Sequence, residues 1–150
     1  EFLVGSILFA MFVGLDAVDG TVARLLNRNS KWGAFFDSVL DRIADGVVLG
    51  SLAFYFAKAG EETYFILSLV ALLASEIVSY TKARAEGLGL NCNTGLAERP
   101  ERVIIIVAGT FLTGLGINPA LEISIWLLTI VSIITVIQRM NFVLKQTKSS

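Results

Sequence analysis

Histidine is absent from this chain of 150 residues, and cysteine occurs once, at Cys92. The first absence removes imidazole acid–base catalysis and most transition-metal sites. The second removes internal disulfides and thiolate metal sites. Cys92 itself reads as a spectator thiol in a loop. Charged residues make up only 17% of the chain and there are two prolines, so little interrupts the apolar segments. No long acidic or basic tail is present, which argues against nucleic acid as a partner. What remains is 55% hydrophobic, the composition of a membrane protein with one domain over residues 1–150.

Five apolar segments are expected to form an all-α, polytopic helical bundle: residues 2–15 (running on to about 28), 34–57, 63–81, 103–117 and 121–138. Pro100 suits a first helical turn, so the fourth helix should begin before residue 103. Asn118 and Pro119 mark a tight turn, and residues 87–95 read as the one extended loop. Arg24, Arg28 and Lys31 fall in one connection; Lys82, Arg84, Arg99 and Arg102 fall in another; Arg139, Lys145 and Lys148 follow the last span. The positive-inside bias puts all three on the cytoplasmic side of the cell membrane. Five spans with a cytoplasmic C-terminus leave residue 1 outside. The apolar run also starts at Phe2, without the charged region of a signal peptide. A further helix is therefore expected upstream.

The charges within this apolar chain are concentrated. Asp16, Asp19, Gly20, Ala23 and Arg24 share one helical face, and so do Gly33, Asp37 and Asp41. Two such faces brought together would gather four carboxylates, which repel unless a cation joins them. Hard oxygen ligands without nearby His or Cys point to Mg²⁺, Mn²⁺ or Ca²⁺. The small residues leave room for a flat or bulky ligand, and Arg24 can pair with a phosphate.

The pattern D-x2-D-G-x2-A-R-x8-G-x3-D-x3-D over residues 16–41 resembles the signature of the CDP-alcohol phosphotransferase family, with all eight fixed positions matched. The resemblance implies a six-helix, homodimeric membrane enzyme (EC 2.7.8). Such an enzyme moves the phosphoalcohol part of a CDP-linked donor to an acceptor alcohol and releases CMP. It implies two Mg²⁺ or Mn²⁺ ions on Asp16, Asp19, Asp37 and Asp41, with Asp41 as general base. Gly20, Ala23, Arg24 and Gly33 would line the nucleotide, with Ser30 as a further donor to the diphosphate. Asp45 continues the stripe and reads better as an ion-pair partner of Arg42 or another basic residue than as a catalytic group.

Lys82, Arg99, Arg102 and Arg139 gather on the cytoplasmic side. Each alone reads equally well as a topology charge paired with Glu86, Glu98 or Glu101. Together they suit an anionic acceptor. The run KARAEGLGL with GLAERPER resembles the phosphatidylinositol-phosphate and archaetidylinositol-phosphate synthase subgroup. That resemblance implies inositol 1-phosphate as acceptor and CDP-diacylglycerol or CDP-archaeol as donor. Glycerol 3-phosphate as acceptor, or a soluble CDP-inositol donor, stays open on charge alone. A carboxylate-lined transporter is the alternative of another class, although it gives no reason for Arg24. Gly46, Gly50 and Ala53 could line a lateral path for a lipid, with close helix packing as the default.

Overall fold

The computed structural model describes residues 30–149, together with Gly5 and Ile7, both helical. The first expected span, and with it Asp16, Asp19, Gly20, Ala23 and Arg24, lies outside the described residues.

Four helices account for nearly all of the rest: α1 (Lys31–Ala59), α2 (Glu62–Gly87), α3 (Arg99–Gly114) and α4 (Ala120–Ser149). Ser30 caps α1, its hydroxyl oxygen accepting from the Gly33 N–H at 2.9 Å. Gly60 ends it in the left-handed conformation, φ 76°, where an L side chain would be strained. Pro100 sits in the first turn of α3, where its missing N–H costs nothing. Leu115 and Gly116 then close α3 before the turn at Asn118 and Pro119.

The helices outrun the expected segments at their polar ends. α2 continues to Gly87, so Lys82 and Arg84 stand on a helix and not in a connection. α4 continues from residue 138 to Ser149 and carries Arg139, Lys145 and Lys148 with it. Apolar periodicity marks only the part of a helix that meets lipid or core. Backbone hydrogen bonding carries the helix on past it.

Among the described residues, two helices are long and apolar enough to cross a membrane, Glu62–Gly87 and Ala120–Lys148. The sequence reading counted α1 and α3 as well. α3 has 16 residues, short of the roughly 20 that a hydrocarbon core requires. The first half of α1 carries Asp37, Asp41, Arg42 and Asp45.

The packing is that of a membrane protein. Ser68, Ala71, Ala74, Ser75, Thr129, Ser132 and Thr135 are buried, while Leu73, Ile104, Ile130, Ile133 and Ile137 are exposed. Lipid offers no hydrophobic drive to bring helices together, so small side chains that let backbones approach take the interior. Some buried hydroxyls are satisfied within their helix, as Ser68 is by the Tyr64 carbonyl at 2.7 Å, whereas those of Ser75 and Ser132 have no hydrogen-bond partner among the described residues. Thr129 reaches two helices, donating to Ile125 at 2.8 Å and facing Leu67 of α2 at 3.4 Å. At Gly109 of α3 an added Cβ would overlap the Ser124 side chain of α4. A Cβ at Gly46 or Gly50 meets no described atom within 4 Å. Ala53 follows the packing default, at 3% exposure.

The contacts run α1 to α2, α2 to α4 and α4 to α3. α1 and α3 do not pack backbone against backbone. Long charged side chains cross the space between them.

Candidate active site

Asp37, Asp41 and Asp45 stand one turn apart on α1. Asp37 is exposed. Asp41 receives Arg99 of α3, whose Nη1 lies 2.8 Å from its Oδ1. Asp45 is the hub: Arg42 lies at 3.5 Å, Arg99 at 3.6 Å and Arg102 at 3.3 Å. The ion-pair role expected of Asp45 is what the structure contains. Arg102 is almost fully buried at 3% exposure. It reaches the Ala97 carbonyl at 3.4 Å and Ser79 at 3.5 Å besides Asp45. An arginine this buried is tolerable only with such partners, because an unpaired charge there would be costly.

Arg139 holds α4 to the rest of the site. Its guanidinium donates to the carbonyl of Thr94 at 2.8 Å and to that of Val78 at 2.5 Å, and it pairs with Glu98 at 3.3 Å. Lys82 approaches the same Glu98 at 3.9 Å. Glu98 is thus the carboxylate partner that the sequence offered as an alternative for these cations.

Between these groups lies an open cavity of about 490 Å³. Arg42, Lys82, Arg99, Arg102 and Arg139 line it, along with Glu76 and Ser79. The four expected basic residues are therefore brought together around one space. Arg42 joins them, although the sequence reading treated it only as a partner for Asp45. Glu76 was missed altogether. A single acid inside an apolar helix gives a sequence no indication of which side it faces.

The loop between α2 and α3 is bound to α4 along its length. Gln146 accepts from the Asn91 N–H at 3.2 Å and donates back to the Asn91 carbonyl at 2.6 Å. Gln138 accepts from Leu96 at 3.1 Å, and Thr135 from Ala97 at 3.0 Å. Cys92 is buried within this segment. Gly95 makes the close approach possible. Its φ is 135°, and an added Cβ would come within 2.6 Å of Thr135 Cγ2 and 3.4 Å of Arg139 Nε. Gly95→Ala is expected to cost about 1–3 kcal/mol through this overlap and the unfavourable φ. Thermal unfolding of the purified variant checks it, and an unchanged midpoint would refute the close packing.

Asp37 and Asp41 offer hard oxygen donors on one face, which suits a divalent cation of the Mg²⁺ or Mn²⁺ kind. They form half of the expected set; Asp16 and Asp19 lie outside the described residues. Among the described residues no three acidic or other metal-ligating side chains cluster closely enough to hold an ion alone. Ser30 uses a lone pair of its hydroxyl in capping and keeps the O–H proton to donate. Gly33 sits directly over it, with a Cβ position only 3.0 Å from Ser30 Oγ.

The chain is similar to known proteins. The phosphatidylinositol phosphate synthase of Streptomyces avermitilis is 41% identical over 155 residues, covering 98% of this chain and 64% of its own. The chain thus spans just under two thirds of that relative's length. Crystal structures of the Mycobacterium tuberculosis phosphatidylinositol phosphate synthase superpose with a TM-score of 0.89 at 36% identity. One, with CDP-DAG bound, is matched over 95% of this chain and 74% of its own. Another, in complex with manganese and citrate, is matched over 95% of this chain and 70% of its own, with the same TM-score and identity. The transporter alternative is thereby set aside. The family model described as CDP-alcohol phosphatidyltransferase matches residues 1–138, and the chain belongs to that family.

Proposed function

We propose that the protein containing this chain transfers the phosphatidyl group of CDP-diacylglycerol to inositol 1-phosphate and releases CMP. The observation that carries this reading is the Arg99–Asp41 contact. It joins the carboxylate stripe of α1 directly to the basic cavity. An acceptor phosphate held in that cavity would leave its hydroxyl within reach of Asp41. The names of the relatives favour inositol 1-phosphate over glycerol 3-phosphate, and a diacylglycerol donor over archaeol.

In this reading the acceptor hydroxyl oxygen attacks the β-phosphorus of the donor, and Asp41 takes its proton. The phosphoanhydride bond to CMP breaks. Of the four expected basic residues, Lys82 and Arg99 hold the acceptor phosphate, and Arg102 and Arg139 orient it from behind. Arg102 and Arg139 are so committed to Asp45, Glu98 and backbone carbonyls that they act chiefly by fixing the wall of the cavity. Lys82 and Arg99 are the more exposed pair. Divalent ions on Asp16, Asp19, Asp37 and Asp41 would neutralise the pyrophosphate and the departing CMP. Gly20, Ala23, Arg24, Ser30 and Gly33 would line the nucleotide. The protein is read as a multi-pass homodimer of the cell membrane with six helices per subunit, its site opening to the cytoplasm.

CMP release by the full-length protein in lipid nanodiscs tests the reading. Mg²⁺ or Mn²⁺ and CDP-diacylglycerol would be supplied with inositol 1-phosphate, glycerol 3-phosphate, free inositol or serine. Release with inositol 1-phosphate alone is expected. Release only with another acceptor would overturn the acceptor assignment, and no release with any would overturn the reaction.

A further inference from the structure

Among the described residues, three buried polar atoms of residues that line the basic cavity make no hydrogen bond: Arg42 Nη1, Arg99 Nε and Glu76 Oε1. Arg99 Nε still has an ion-pair partner in Asp45 at 3.6 Å, which leaves one donor and one acceptor. Arg42 Nη1 on α1 and Glu76 Oε1 on α2 are both buried and make no hydrogen bond, either to each other or to another group. Both residues line the cavity. Arg42 spends its other terminal nitrogen on Asp45, 3.5 Å away. Asp41 and Asp45 are in use on arginines, Glu98 is in use on Arg139 and Lys82, and Glu86, which also lines the cavity, is exposed. Buried polar groups are nearly always satisfied, so an orphan donor and an orphan acceptor on residues lining one cavity call for a molecule that supplies both complements.

A phosphate oxygen would serve Arg42 but be repelled by Glu76. A carboxylate in the wall of an anion site weakens that site, and Glu76 is therefore not explained by phosphate binding. A neutral hydroxyl fits both atoms at once, since it accepts from a guanidinium N–H and donates its own proton to a carboxylate.

We propose that Arg42 and Glu76 form a hydroxyl-reading pair that selects the polyol part of the acceptor, while Lys82 and Arg99 of the same cavity take its phosphate. The proposal rests on the acceptor being a phosphorylated polyol, as argued above. It gives the two ends of such a molecule separate recognition groups on α1 and α2. The hydroxyl read by the pair is one other than the attacking hydroxyl, which belongs to Asp41. Loss of that hydroxyl from the acceptor would leave a buried carboxylate and a guanidinium N–H unsatisfied, and sites of this kind discriminate strongly.

The test is a cycle between protein and acceptor. A series of monodeoxy inositol 1-phosphates is assayed for CMP release with the wild-type protein, Glu76→Ala and Glu76→Gln, all full-length in nanodiscs. In the wild type, removal of one particular hydroxyl is expected to lower kcat/KM at least about tenfold. In Glu76→Ala the same removal should cost no more than about twofold, because the group that read it is gone. Glu76→Gln keeps an acceptor oxygen and should retain an intermediate penalty. Should Glu76→Ala fail to fold, the Gln variant decides by the same comparison. Deoxy penalties unchanged from wild type in the variants would overturn the hydroxyl-reading pair while leaving the reaction standing. A wild type inactive with inositol 1-phosphate would overturn the acceptor reading itself, and this pairing with it.

Discussion

Asp41→Asn is expected to lower CMP release by at least about a hundredfold, the scale of a lost general base, while CDP-diacylglycerol still binds. The substitution keeps size and shape and removes the charge that accepts a proton. It also frees Arg99, whose Nη1 sits 2.8 Å from Asp41. That arginine keeps a second carboxylate, Asp45, at 3.6 Å, so the cavity wall should survive. The loss should therefore fall on turnover and not on folding. Equilibrium donor binding and the thermal midpoint, measured on the same preparation, separate the two effects. A variant retaining more than about a tenth of wild-type turnover would remove Asp41 from the base role. A variant that no longer binds donor would move Asp41 to a purely ligand-holding one.

Asp45→Ala is expected to produce the largest loss of stability of any single substitution at the site, on the order of 3 kcal/mol. Three guanidinium groups converge on this one carboxylate. Arg42 and Arg99 are about a quarter exposed, so their share is screened and small. That of Arg102 is not, because its side chain is 4% exposed and its other contacts, to Ala97 and Ser79, are long. The expected result is a marked fall in thermal midpoint. Asp45→Leu combined with Arg102→Met should recover more than half of it, since a buried ion pair can be replaced by packed apolar side chains at little cost. A midpoint for Asp45→Ala indistinguishable from wild type would mean that Arg102 finds other compensation. Asp45 would then no longer be the hub.

Much of the architecture was legible in the sequence because lipid imposes a simple code. Long apolar runs gave the helices, and Pro100 and the turn at Asn118 and Pro119 gave two of the boundaries. The candidate site was legible for a different reason: Asp37 and Asp41 are costly in an apolar setting, so their spacing carries information. Lys82, Arg99, Arg102 and Arg139 were gathered correctly, yet their partners were not foreseen in detail. Only the fold reveals that Glu98 serves both Lys82 and Arg139, or that Asp45 serves three arginines. The polar extensions of α2 and α4 escaped because hydrophobic periodicity stops where the lipid does. Glu76 escaped because which way one acid points within an apolar helix depends on how α1 and α2 are rotated, which no local pattern records.

The tethering of residues 91–97 to α4 also bears on the kinetics of the backbone. The amides of Asn91, Leu96 and Ala97 are held by Gln146, Gln138 and Thr135, all of which stand on one continuous helix. Hydrogen–deuterium exchange at these three amides is then governed by the opening of α4 and not by the free motion of a loop. The connection between α2 and α3 belongs to the same cooperative unit as the C-terminal helix, and the basic wall it adjoins keeps its shape for as long as that helix stays wound.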